Sequence, residues 1–220
     1  MIYGYGICEP AVAAAAPRRR GLGGATLRAL DHGGLGAVYS RHRSLRPRPV
    51  PQLVLEHERV VEAIMARGPV LPLRFGTEFE REEQLATALE ERRDELLHSL
   101  DRVRGKAELG LRIIPKQPSG HSRAVDTSGR DYLLARVRAR RRSEQAIREV
   151  HTELAALSRA SRVRQLPTPP AILVAAYLVD SDRVAEFRSH ANQLAGRQSE
   201  MRVVVTGPWP PYTFATKEQR

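Results

Sequence analysis

Between residues 106 and 114 the chain alternates strictly: Ala107, Leu109, Leu111 and Ile113 are apolar, while Lys106, Glu108, Gly110 and Arg112 are not. A period of two with one apolar face specifies a half-buried strand, and that face must be covered by a second layer. The covering elements are legible on both sides. Leu85, Leu89, Leu96 and Leu100 recur on one face of a helix predicted over 77–103, opened by the capping-box pattern Thr77-Glu78-Phe79-Glu80. Ile147, Val150, Leu154 and Leu157 line a long helix predicted over 130–162, part of which should project beyond its core. Strands covered by amphipathic helices place the chain in the α+β class.

Further strands are predicted over 2–8, 27–30, 35–40, 70–75, 171–179 and 201–206, and further helices over 52–66 and from 183 to 194 behind Asp180-Ser181-Asp182. Asp31-His32-Gly33-Gly34 marks a hairpin between two of the strands. Residues 11–24, broken by Pro17 and three glycines, read as a surface loop with one helical turn, and 115–129 read as a flexible segment. The 171–179 run is apolar enough to be buried on both faces. A length of 220 residues accommodates two domains. The expected architecture is two ferredoxin-like α/β-sandwich domains, 1–104 and 105–206, followed by an extended, irregular Pro/aromatic tail over 207–220.

The net charge of +11 raises the prospect of a nucleic-acid partner. However, 33 of the 36 basic residues are arginines, a compositional skew, and the excess is uneven: +3 over 1–114 and +8 over 115–220. The arginines of 136–142 point to several sides of their helix, which suits a solvated surface better than a one-sided groove contact. Tyr3 and Tyr5, two apart on a strand, share a face and would be the bases' stacking platform in the alternative reading, an RNA-binding ferredoxin-like protein. Aromatics are only 5% of the chain, so no nucleic acid is expected.

Enzyme chemistry finds little footing. Seven scattered histidines include no HExxH pair, His57-Glu58 being the nearest approach, and Cys8, the single cysteine, lies in an apolar strand. Gly21-Leu22-Gly23-Gly24 lacks the residues that cradle phosphate. No catalytic residue, cofactor or metal is expected. Neither a secretory signal nor a membrane span is legible, and one cysteine suits a reducing cytoplasm. The tail concentrates Trp209, Tyr212 and Phe214 among three prolines; pre-ordered by proline, these aromatics are expected to dock on the chain's own body.

Val205-Thr206-Gly207-Pro208-Trp209-Pro210-Pro211-Tyr212-Thr213-Phe214 closely resembles the characteristic ending of the gas vesicle GvpL/GvpF family. So do Tyr3-Gly4-Tyr5-Gly6-Ile7, His57-Glu58 with Val60-Val61-Glu62, and Val70-Leu71-Pro72-Leu73-Arg74-Phe75-Gly76-Thr77. Arg104-Gly105-Lys106-Ala107-Glu108-Leu109-Gly110 and Gly129-Arg130-Asp131-Tyr132-Leu133 resemble its middle blocks, in order along the chain. The resemblance implies two ferredoxin-related domains with the tail packed back, and a non-enzymatic accessory or minor component of gas vesicles. It also implies binding to the shell protein GvpA and other accessory Gvp proteins, limiting shell-protein aggregation or helping to nucleate assembly. The motif-dense segments around 2–8 and 71–75 then nominate Tyr3, Tyr5, Leu71, Arg74 and Phe75 as partner-binding residues. The resemblance does not separate the L from the F member.

Overall fold

Ile2–Cys8 forms β1, which is buried at every position because it lies inside a sheet and is covered as well. In the computed structural model, which describes residues 1–15, 20–43, 49–116, 129–165, 173–198 and 201–215, the chain divides into two compact units. One comprises Met1–Glu108 with Trp209–Arg220, the other Leu109–Pro208. Residues 117–128, most of the expected flexible segment 115–129, lie outside the described residues, as do 44–48 and 166–172, the last including the start of the strand expected over 171–179.

In the first unit β1 is followed by α1 (Pro10–Ala14), whose proline at the first helical turn needs no N–H partner. Val12, Ala13 and Leu22 are buried, so the described parts of 11–24 contribute to the core; the expected surface loop is corrected here. β2 (Leu27–His32) and β3 (Leu35–Arg41) form the expected hairpin. Gly33 and Gly34 turn it with φ of 59° and 81°, a pair of left-handed positions that side chains resist. α2 (Pro51–Met65) buries Val60, Val61 and Ile64 against the sheet. β4 (Val70–Pro72) and the short β5 (Glu78–Phe79) both pair with β1, giving the order β2–β3–β1–β4 with β5 beside β1.

The helix expected over 77–103 starts later and breaks. Thr77 gives its hydroxyl to the Arg74 carbonyl (2.7 Å) in a turn, and pairing of Glu78–Phe79 with β1 takes precedence over the capping box. Gln84 instead accepts from the Glu80 amide (2.8 Å), and α3 (Glu82–Glu91) follows. At Arg92 (φ −119°, ψ 18°) the chain leaves helical geometry before α4 (Arg93–Val103), which buries Leu96, Leu100 and Val103.

β6 (Lys106–Pro115) is the alternating strand, with Ala107, Leu109, Leu111 and Ile113 all buried. α5 (Gly129–Ala156) spans roughly 42 Å at 1.5 Å per residue. It ends six residues before the expected boundary. Ala160–Gln165 instead forms β7, antiparallel to β8 (Leu173–Asp180), and cross-strand pairing overrides a weak local helix preference. Val174 and Ala176 in β8 are only half-buried, so the strand is not covered on both faces throughout. The Asp180 carboxylate binds Arg159 (2.8 Å) rather than capping, and α6 (Val184–Arg197) begins after a 3₁₀ turn and runs through Gly196. β9 (Met201–Trp209) completes a sheet of order β7–β8–β6–β9.

The second unit thus runs β-α-β-β-α-β, the ferredoxin-like succession. Counted within each unit, both sheets place their strands in the order second, third, first, fourth. The expectation that nothing after Thr206 is regular is corrected: Gly207, Pro208 and Trp209 belong to β9. A proline cannot donate to a ladder, but β9 is an edge strand and tolerates one.

Candidate partner-binding surface

Alternation along β1 sends Tyr3 and Tyr5 to one side, as expected, and their rings meet edge to face at 5.1 Å. Both are 0% exposed. Burying two phenols requires partners for two hydroxyls, and the surrounding elements supply them. Tyr3 Oη lies 2.9 Å from His57 Nδ1 and accepts from the Gly76 amide (3.2 Å). His57 Nε2 lies 3.0 Å from the Leu73 carbonyl, which can only accept. The proton is therefore on Nε2, Nδ1 is the acceptor, and Tyr3 donates to it. Tyr5 Oη accepts from the Leu22 amide (2.6 Å) and bonds Ser40 Oγ (2.9 Å). Its ring stacks on His57 at 5.5 Å.

Burial sets the protonation of this cluster. His57 has no exposed surface, and desolvation lowers its pKa to about 4, so the ring is neutral at pH 7. Desolvation raises Tyr3 to about 12 and also raises Tyr5. The Cys8 thiol is likewise pushed up to about 12 by burial, which leaves it unreactive.

The segment after β4 divides the remaining nominated residues. Leu71 is buried opposite Ile7, whereas Arg74 is exposed and Phe75 half-buried. Phe75 packs edge-on to Tyr3 (6.1 Å) and His57 (5.9 Å). Of the five nominated partner-binding residues, only Arg74 and Phe75 therefore reach the surface. Tyr3, Tyr5 and Leu71 are corrected to interior supports, because the apolar character that nominated them is satisfied inside the unit. Base stacking on Tyr3 or Tyr5, which the RNA-binding alternative needs, has no room in this fold.

The tail is held by charged side chains that the sequence did not single out. Tyr212 donates to Glu58 Oε1 (2.9 Å). Glu108 accepts from both the amide (2.8 Å) and the hydroxyl (2.6 Å) of Thr213, and Arg102 donates to the Phe214 carbonyl. Burial raises the Glu58 pKa, and burial together with the Glu58 charge raises that of Tyr212. Phe214 is 3% exposed and Tyr212 half-buried, whereas Trp209 is 43% exposed. Only the places of Glu58 on α2 and of Glu108 at the start of β6 make them tail ligands. Among the described residues no three His, Cys, Asp or Glu side chains group as a metal site, and no helix is long and apolar enough to cross a membrane.

This architecture has solved counterparts. GvpF from Anabaena sp. PCC7120 superposes with a TM-score of 0.81 at 21% identity, covering 99% of this chain and 97% of that one. GvpF from Microcystis aeruginosa gives 0.79 at 20% identity, covering 98% and 99%. Among curated proteins, gas vesicle protein L of a Streptomyces species is 31% identical over 97% of this chain and 92% of its own length. Gas vesicle protein F2 of Halobacterium salinarum is 29% identical over 97% and 91%. The model of the family described as gas vesicle synthesis protein GvpL/GvpF matches residues 1–216, and the chain accordingly belongs to the GvpL/GvpF gas vesicle protein family.

Proposed function

We propose that this protein is a non-enzymatic gas vesicle assembly factor that binds the shell protein GvpA before polymerisation, limiting its aggregation or helping to nucleate the shell. The family match over residues 1–216 is the observation that carries this reading. Its physical basis is general: an apolar-faced subunit cannot persist alone in water, so a partner must cover that face and then release it. The protein works in the cytoplasm, remains as a minor vesicle component and contacts other Gvp accessory proteins.

The contact point proposed on the first unit is Arg74 with Phe75. Arg74 is a solvated cation that can steer approach, and Phe75 offers a ring whose inner side is fixed by Tyr3 and His57. The buried Tyr3, Tyr5 and Leu71 form the rigid floor beneath it. Co-expression with GvpA tests the reading. GvpA should stay soluble and co-purify with the wild-type protein, and Arg74→Ala should reduce the captured GvpA several-fold while the protein's melting temperature stays unchanged. Equal GvpA aggregation with and without this protein would overturn the function; unchanged capture by Arg74→Ala would overturn only the contact point.

A further inference from the structure

The amino-terminal half of α5 presents a surface that its own unit does not use. Every described side chain from Gly129 to Arg142 is exposed, whereas Ile147, Val150 and Leu154 farther along enter the core. Leu133, Leu134 and Val137 are 61%, 44% and 48% exposed, an unusual placement for three neighbouring large apolar side chains. At about 100° per residue these three share one arc of the helix, whose centre lies roughly 110° around from that of the core-facing side. The stripe is therefore a separate face and not an overrun of the buried one.

Its surroundings define what fits. Arg130 and Arg141 lie in line with the stripe, one turn before Leu134 and one turn after Val137, and Arg138 flanks it; Arg140, on the other flank, already donates to Glu144 (2.9 Å). Residues 129–142 hold six arginines and one aspartate, a net +5. We propose that this arm docks an acidic amphipathic helix of another protein, with leucine-like side chains on Leu133, Leu134 and Val137 and carboxylates on the ring of arginines.

Other occupants match less well. A lipid surface wants a long apolar face, but this one spans a single turn and arginine closes both ends. Phosphate backbones would gain nothing from the three aliphatic side chains. Two arms of the same charge repel. The acidic stretch 78–95 of a second copy, net −5, has the charge but none of the exposed large apolar side chains. Charge and apolar surface together select an acidic helix.

The test uses the full-length protein and a labelled synthetic helical peptide with leucines at i, i+3 and i+4 flanked by glutamates, titrated by fluorescence anisotropy. A scrambled peptide of the same composition, a single-stranded RNA and phosphatidylcholine/phosphatidylserine vesicles serve as competitors. The patterned peptide should bind at least tenfold more tightly than the scrambled one, and more weakly as salt rises. Leu133→Ser with Val137→Ser, and separately Arg138→Glu with Arg141→Glu, should each weaken it at least tenfold. All four positions are exposed, so unchanged circular dichroism is expected and verifies folding. Equal binding of the scrambled peptide, or insensitivity to either double variant, would overturn the proposal. So would tighter binding of RNA or vesicles that depends on the arginines but not on Leu133 and Val137. A dimer in sedimentation that Leu133→Ser abolishes would also overturn it, by assigning the stripe to a second copy.

Discussion

Tyr212 and Glu58 are 154 positions apart in sequence, yet the phenol of one donates to the carboxylate of the other across 2.9 Å. This bond returns the end of the chain to α2 of the first unit, and the bonds of Glu108 and Arg102 to Thr213 and Phe214 repeat the attachment at the next two residues. Tyr212→Phe should cost about 1.5–3 kcal/mol, the range for hydrogen bonds to charged groups, because Glu58 is left partly buried with one partner fewer. Urea unfolding checks this: the midpoint should fall with an unchanged m-value, and proteolysis near residue 212 should accelerate.

The two outer tail aromatics should behave oppositely. Phe214, 3% exposed, should cost about 3–5 kcal/mol when replaced by Ala, the range for a buried phenylalanine. Trp209, 43% exposed, should cost much less, and its effect should show instead in partner capture, where exposed tryptophans dominate binding energy. Thermal melts of the two variants, side by side with pulldowns, decide it.

His57 makes stability fall on acidification. Its folded pKa is lowered from 6.5 to about 4, so between these values the unfolded chain binds a proton that the folded chain refuses. Stability contributed by the neutral ring is complete above pH 6.5, declines as pH falls and is lost by about pH 4. Linkage puts the loss at about 3 kcal/mol. His57→Gln, whatever its absolute stability, should flatten this part of the stability–pH curve measured by denaturant unfolding.

Cys8 should resist labelling. Buried at 0% exposure with its thiol pushed up to about 12, it should react with a disulfide reagent at pH 8 only as fast as the protein unfolds. Rapid labelling of the native protein would show that β1 opens locally.

Much of the local structure was legible because periodicity is written residue by residue. Alternation over 106–114 marks β6, and paired glycines mark the β2–β3 hairpin. Where neighbours compete for the same backbone, local signals failed. The capping-box pattern at Thr77 loses to pairing with β1, and the carboxyl end of a helical pattern becomes β7 because β8 offers a ladder. The site was legible only as a set of segments. Tyr3, Tyr5, Leu71, Arg74 and Phe75 do lie close along β1 and the chain from β4, but which of them meet solvent depends on what covers each one.

The alternation of β6, the β2–β3 hairpin, the arginine-rich half of α5 and the family blocks from Tyr3 to Phe214 follow from the amino-acid sequence alone, since each is a pattern of near neighbours or a matched motif. The assignment of Glu58, Glu108 and Arg102 to the tail, the tautomer of His57 and the burial of Tyr3 and Tyr5 were decided by the tertiary structure. Each depends on groups tens to more than a hundred residues apart, and a donor finds its acceptor only after the chain has closed around both.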